Sequence, residues 1–157
     1  MSTRRTLDEW FELYGTSHRH KVNKAIHFIA VPSIYLSVMG LLWAIPVPAM
    51  MAAVPGLNWA TLTAIPVLAF YLPLSLPITI GMLLFTALCF TILTALAAVG
   101  VSVLNFSVAL FVVMWILQFY GHAVEGKKPS FFQDLQFLLI GPAWVLDSLL
   151  GKVGMRA

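Results

Sequence analysis

Residues 17 to 28, SHRHKVNKAIHF, carry three of the chain's four histidines, and the fourth, His122, lies in WILQFYGHAVEG. Imidazole nitrogens gathered in this way suit iron, zinc or copper. Trp115, Gln118, His122 and Glu125 recur at steps of three and four, so a continuing helix carries them in one stripe. In that stripe His122 offers a metal ligand, Glu125 a carboxylate that ligates or hydrogen-bonds it, and Gln118 an amide that orients either one. In the first cluster, helical periodicity groups His20, Asn23 and His27 on one face. His18 stands nine residues before His27 and joins that face only if the chain turns near Lys21.

A histidine at a membrane surface is ordinarily solvated or snorkelling, and that suits His20. His27 and His122 lie within or at the edge of apolar runs, where polar side chains are costly and mark function. Those runs dominate the chain: of its 157 residues, 61% are hydrophobic and 10% charged, and the mean hydropathy is +0.93. Residues 25 to 124 contain no Asp, Glu, Lys or Arg. No water-soluble fold leaves so long a segment bare, so the composition implies an integral membrane protein. The basic residues flank the apolar runs and form no long polar surface, which reads the pI of about 9.3 as membrane-flanking charge and argues against nucleic acid as a partner. A lone cysteine, Cys89, excludes an intramolecular disulfide and a cysteine-based zinc site.

These patterns predict one all-α membrane domain over residues 1–157, a polytopic helix bundle. Leu7, Trp10, Phe11 and Tyr14 give residues 7–24 the spacing of an amphipathic interfacial helix, ended or bent at Gly15. Four spans are expected at about 25–45, 58–75, 78–98 and 101–120, the second interrupted by Pro66 and Pro73. Residues 131–151, broken by Gly141-Pro142, read as an interfacial or re-entrant helix. Acidic residues in the first 24 positions and the lack of an apolar h-region argue against a cleaved signal peptide. Basic residues precede the first span and follow the last, so the positive-inside rule places both termini in the cytoplasm, as an even number of spans requires. All four histidines then fall at the cytoplasmic ends of spans one and four. They converge only if those spans pack side by side.

The segments YGTSHRHKVNKAIHFIAVP, QFYGHAVEGKKPS and LIGPAW, taken together and in this order, resemble the 2-hydroxy fatty acid dioxygenase family of small multi-pass membrane proteins. The resemblance implies an Fe(II)-dependent α-oxidation in which a 2-hydroxy fatty acid reacts with O2, without 2-oxoglutarate, and becomes one carbon shorter. It implies His18, His27 and His122 as metal-site histidines, with Asn23, Gln118 and Glu125 as the family's other polar positions. His20 is not among the family's motif positions, so the resemblance chooses His18 where periodicity chooses His20. Ser130 and Asp147 depart from the family pattern, which commonly has alanine and glutamate there.

In this scheme Glu125 is a further ligand or the base that takes the substrate's hydroxyl proton, and Lys24, with Arg19 and Lys127 as alternatives, pairs with the substrate carboxylate; the same cations serve equally as membrane-flanking charge. Membrane lipids are the other expected partners. The short termini and the absence of a retrieval signal in GKVGMRA point to a bacterial inner membrane, whereas eukaryotic members of the family work in the endoplasmic reticulum. Two other classes fit the same residues. A membrane zinc hydrolase acting on a lipid would also use histidines and a carboxylate. A non-enzymatic lipid-binding protein would need no histidine at all.

Overall fold

The computed structural model describes residues 5–129 and 136–152, and among these the secondary structure is entirely helical. Helix α1, Leu7–Gly15, opens with a capping box: the Thr6 hydroxyl accepts from the Glu9 backbone N–H at 3.3 Å, and the Glu9 carboxylate from the Thr6 N–H at 2.7 Å. Its inner face buries Trp10 and Tyr14, four residues apart. The interfacial stretch expected over 7–24, ended or bent at Gly15, is two pieces. α1 stops at Gly15, a turn covers residues 16–20, and α2, Lys21–Trp43, begins with the His20 imidazole accepting from the Val22 N–H at 3.2 Å.

Helices α2, α5 (Leu76–Ala98) and α6 (Val103–Glu125) are each 23 residues, about 34 Å at 1.5 Å per residue, and long and apolar enough to cross a membrane. Among the described residues three helices reach that length, where about four spans are expected. The second expected span, 58–75, is the 13-residue helix α4 (Trp59–Tyr71), about 20 Å long. An N-terminal capping box at Asn58 fixes its start, and the turn over residues 72–74, which contains Pro73, separates it from α5, whose first turn accommodates Pro77. A four-residue helix, α3 (Ala49–Ala52), lies in the connection before it.

The direction of the chain survives this shortening. α2 runs from the histidines to Trp43, and the Trp59 indole at the start of α4 donates to the Pro46 carbonyl at 3.1 Å, so α4 begins at the opposite end and returns. α5 runs alongside α2, with Phe85 against Tyr35 and Phe90 against Trp43. α6 then climbs back, with Ser107 beside Gly40 and Gly121 beside Asn23. The last helix, α7 (Phe137–Lys152), packs on α1, α2 and α5, and its Leu139 carbonyl accepts from the Tyr71 hydroxyl at the end of α4 at 2.7 Å. It continues through Pro142 and buries Ile140 and Ala143 completely. The beginning of the expected 131–151 helix and Ser130 lie outside the described residues.

The α2–α6 pair positions everything that follows. Small residues let the two helices approach closely at both ends of their contact. A Cβ at Gly121 would stand 2.5 Å from Asn23 Oδ1, and one at Gly40 would collide with the Ser107 side chain. At Gly15 a Cβ would meet nothing within 4 Å. Gly121→Ala should therefore destabilise the protein by about 1–3 kcal/mol, the usual cost of overpacking, while Gly15→Ala should shift its unfolding in detergent far less. Equal midpoints for the two variants would contradict the close approach.

Candidate metal centre

Three histidines from three parts of the chain meet at one end of the bundle. His18 comes from the turn between α1 and α2, His27 from the second turn of α2, and His122 from the last turn of α6. Their rings are 4.2 Å (His18–His27), 4.9 Å (His27–His122) and 5.0 Å (His18–His122) apart by centroid. One nitrogen from each lies within 4.8 Å of the others, and all three residues are buried.

The hydrogen bonds fix two of the tautomers. His18 Nδ1 lies 2.6 Å from the Tyr14 carbonyl and His27 Nδ1 2.9 Å from the Asn23 carbonyl. A carbonyl only accepts, so each Nδ1 carries the proton and donates, and each Nε2 keeps a lone pair. Those two Nε2 atoms and His122 Nδ1 are buried with no hydrogen-bond partner. Partnerless buried nitrogens cost free energy unless something accepts their lone pairs, and a cation among the three would do so. Burial pushes His18 down to about 4, more than its hydrogen bond to Tyr14 raises it, so the imidazole is neutral near pH 7 and free to ligate. The residues present thus fit a metal ion: three neutral imidazoles on one side, with cavity on the other.

His18 lies outside any helix, so the turn that carries it must be held from elsewhere. Glu125, one turn beyond His122 on α6, does this. Its carboxylate accepts from the backbone N–H groups of Arg19 (2.9 Å) and His20 (2.7 Å) and from Asn23 Nδ2 (3.2 Å). It thereby occupies the positive N-terminal end of α2, where free N–H groups and the helix dipole favour an anion. Asn23 Nδ2 also donates to the Ser17 carbonyl at 3.0 Å, and the Lys127 ammonium to the Thr16 carbonyl at 2.8 Å. Gly126, at φ 73°, ends α6 and turns the chain so that Lys127 follows directly. Aromatic rings close the remaining side: Tyr14 stacks on His18 at 4.1 Å, and Trp144 of α7 lies 5.8 Å from it.

The residues singled out from the sequence divide accordingly. His18, His27 and His122 come together, with Asn23 and Glu125 behind them. Glu125 spends its carboxylate on the α1–α2 turn and on Asn23, where it orients the segment that carries His18, and it is not grouped with the three rings. Gln118 is buried one turn before His122, lines the cavity, and its Oε1 has no partner. His20 is exposed and caps α2, away from the triad. Lys24 is exposed and is not among the residues that line the cavity. Trp144 is missed by the sequence reading, which takes Tyr14 only as part of the resembling motif and Lys127 as an alternative partner for the substrate carboxylate; here Tyr14 stacks on His18, Lys127 donates to the Thr16 carbonyl and Trp144 lies beside His18.

From the triad a cavity of about 370 Å³ runs between α2, α4, α6 and α7. Its polar groups, including Tyr14 and Gln118, are gathered mainly at the histidine end, and beyond them the lining is largely apolar. No lysine or arginine among the described residues lines it. The arrangement can hold a cation at the closed end of a cavity shaped for an apolar chain. If Glu125 holds the His18 turn, Glu125→Ala should reduce metal retention about tenfold or more while leaving helix content intact by circular dichroism. Unchanged metal content would show that the turn holds itself.

No curated protein and no solved structure matches the chain. The family described as 2-hydroxy-palmitic acid dioxygenase Mpo1-like matches over residues 4–153, a stretch that includes all three histidines, the Glu125 clasp and α7. The chain belongs to this 2-hydroxy fatty acid dioxygenase family.

Proposed function

We propose that this protein is an Fe(II)-dependent dioxygenase that shortens 2-hydroxy fatty acids by one carbon. The observation that carries the proposal is the set of three buried, partnerless imidazole nitrogens at the head of an apolar cavity, in a chain of this family. The overall reaction balances with O2 as the sole oxidant. R–CHOH–COOH and O2 give R–COOH, CO2 and water; the C1–C2 bond breaks, and the four electrons lost by the two carbons reduce both oxygen atoms. No further reductant is required.

In this scheme His18, His27 and His122 hold the iron. Once bound there, Fe(II) would supply the counter-charge for the hydroxy-carboxylate and the one-electron chemistry that O2 requires. That role suits a cavity without lysine or arginine, and it leaves Lys24 at the headgroup surface. Gln118 Oε1 accepts a hydrogen bond from the 2-hydroxyl, which turns C2 towards the triad. Tyr14 presents a phenol that burial keeps protonated, and it shields one face of His18 from water. Asn23 and Glu125 hold the geometry and take no part in bond breaking. The acyl chain occupies the apolar part of the cavity, as expected of a substrate that partitions into lipid.

Purified protein reconstituted with Fe(II) should convert 2-hydroxypalmitate to pentadecanoate only when O2 is present. His27→Ala and His122→Ala should each lower that turnover by about a hundredfold or more, with loss of bound iron, since each removes one of three ligands. Gln118→Ala should keep the iron yet lower turnover, and Gln118→Glu should not restore it. Undiminished product formation by the histidine variants, or conversion without O2, would contradict the proposal.

A further inference from the structure

The cavity has a measurable depth. On α2 its lining steps along one face, from His27 through Val31, Ile34 and Val38 to Leu42. The fifteen positions from His27 to Leu42 correspond to about 22 Å of helix. One leaflet of a bilayer core is about 15 Å deep, so an extended chain of ordinary membrane length fits along this face. At the end far from the triad the lining includes Leu42 of α2 and Thr63 of α4. Met39, which also lines the cavity, and Ala60 are both buried and belong with Leu42 and Trp43 to the main core. The indole of Trp59, bonded to the Pro46 carbonyl, ties the start of α4 to the chain just beyond α2.

We infer that Leu42 and Thr63 form a stop that sets the preferred acyl length of the substrate, a role that rests on the proposal that the hydroxy-carboxylate binds at the triad. With the head fixed at one end, the terminal methyl can meet the floor at one chain length only. A longer chain must displace packed side chains, and a shorter one leaves a void. The short α4 makes this possible. It brings Thr63 and Val67 to the lower half of the cavity, while α7 walls the upper half with Phe137, Leu139 and Gly141.

The test measures binding and turnover of saturated 2-hydroxy acids of ten to twenty carbons, with the full-length protein in nanodiscs. Binding is read by displacement of a fluorescent fatty acid. For the unmodified protein, affinity should rise with length to an optimum and then fall. Leu42→Trp and, from the opposite wall, Thr63→Trp should move the optimum down by about two carbons or more. They should weaken binding of sixteen-carbon acid about tenfold, the scale a methylene or two in excess costs in a closed apolar pocket, and leave the ten-carbon acid nearly unaffected. Leu42→Ala should move the optimum up, and it decides the matter if the tryptophan variants do not fold. An optimum unmoved in the folded variants overturns the inference. So does affinity that keeps rising with length, because longer chains would then be leaving sideways past the exposed Val38 and Leu138. A shifted binding profile in a protein that turns over none of these acids upholds the stop and removes the proposed chemistry. Turnover with no shift in either profile does the reverse.

Discussion

Two hydrogen bonds, from His18 Nδ1 to the Tyr14 carbonyl and from His27 Nδ1 to the Asn23 carbonyl, determine what this bundle can do. Each uses the donor of a neutral imidazole on the backbone and turns the lone pair of Nε2 inward. With His122 Nδ1 they leave three partnerless nitrogens together in a buried site, a costly state that a bound cation would relieve. The close approach of α2 and α6, allowed by Gly40 and Gly121, brings His27 and His122 within reach. The third histidine requires a separate device. Glu125 supplies it by anchoring the turn that carries His18 onto the end of the same helix that carries His122.

This division of labour separates the polar from the apolar chemistry. Charged groups at this end of the bundle serve the α1–α2 turn: Glu125 and Lys127 both spend their hydrogen bonds on its backbone. Inside, the cavity is left with uncharged polar groups and an apolar continuation. On the outside, α5 and α6 present Leu84, Leu88, Val112 and Ile116 to their surroundings, all at least half exposed, as suits helices that face lipid. A fatty acid meets compatible surroundings along its whole length in such a molecule.

Much of this was legible in the sequence, and the failures have physical causes. The bare stretch from 25 to 124 announced membrane helices, and the three-and-four spacing of Gln118, His122 and Glu125 described the inner face of α6 correctly. Periodicity chose His20 over His18 because it assumed a helix that had already begun, whereas α2 starts at Lys21 and His20 is spent as its cap. Family resemblance carried the information that periodicity lacked. The second apolar run was long enough on paper, but a turn that contains Pro73 ends its helix after 13 residues, a loss that hydropathy alone does not register. The contribution of α7 to the site could not be read locally, since Trp144 reaches His18, and Gly141 approaches Tyr14, only through tertiary packing.

The central claim is that the three histidines exist to hold one iron ion. An anomalous-difference map of the crystallised protein, collected on both sides of the iron absorption edge, tests it most directly. The account predicts a single peak, present above the edge and absent below it, at bonding distance from His18 Nε2, His27 Nε2 and His122 Nδ1. A peak that responds to the zinc edge, or an iron peak away from these three atoms, would contradict it.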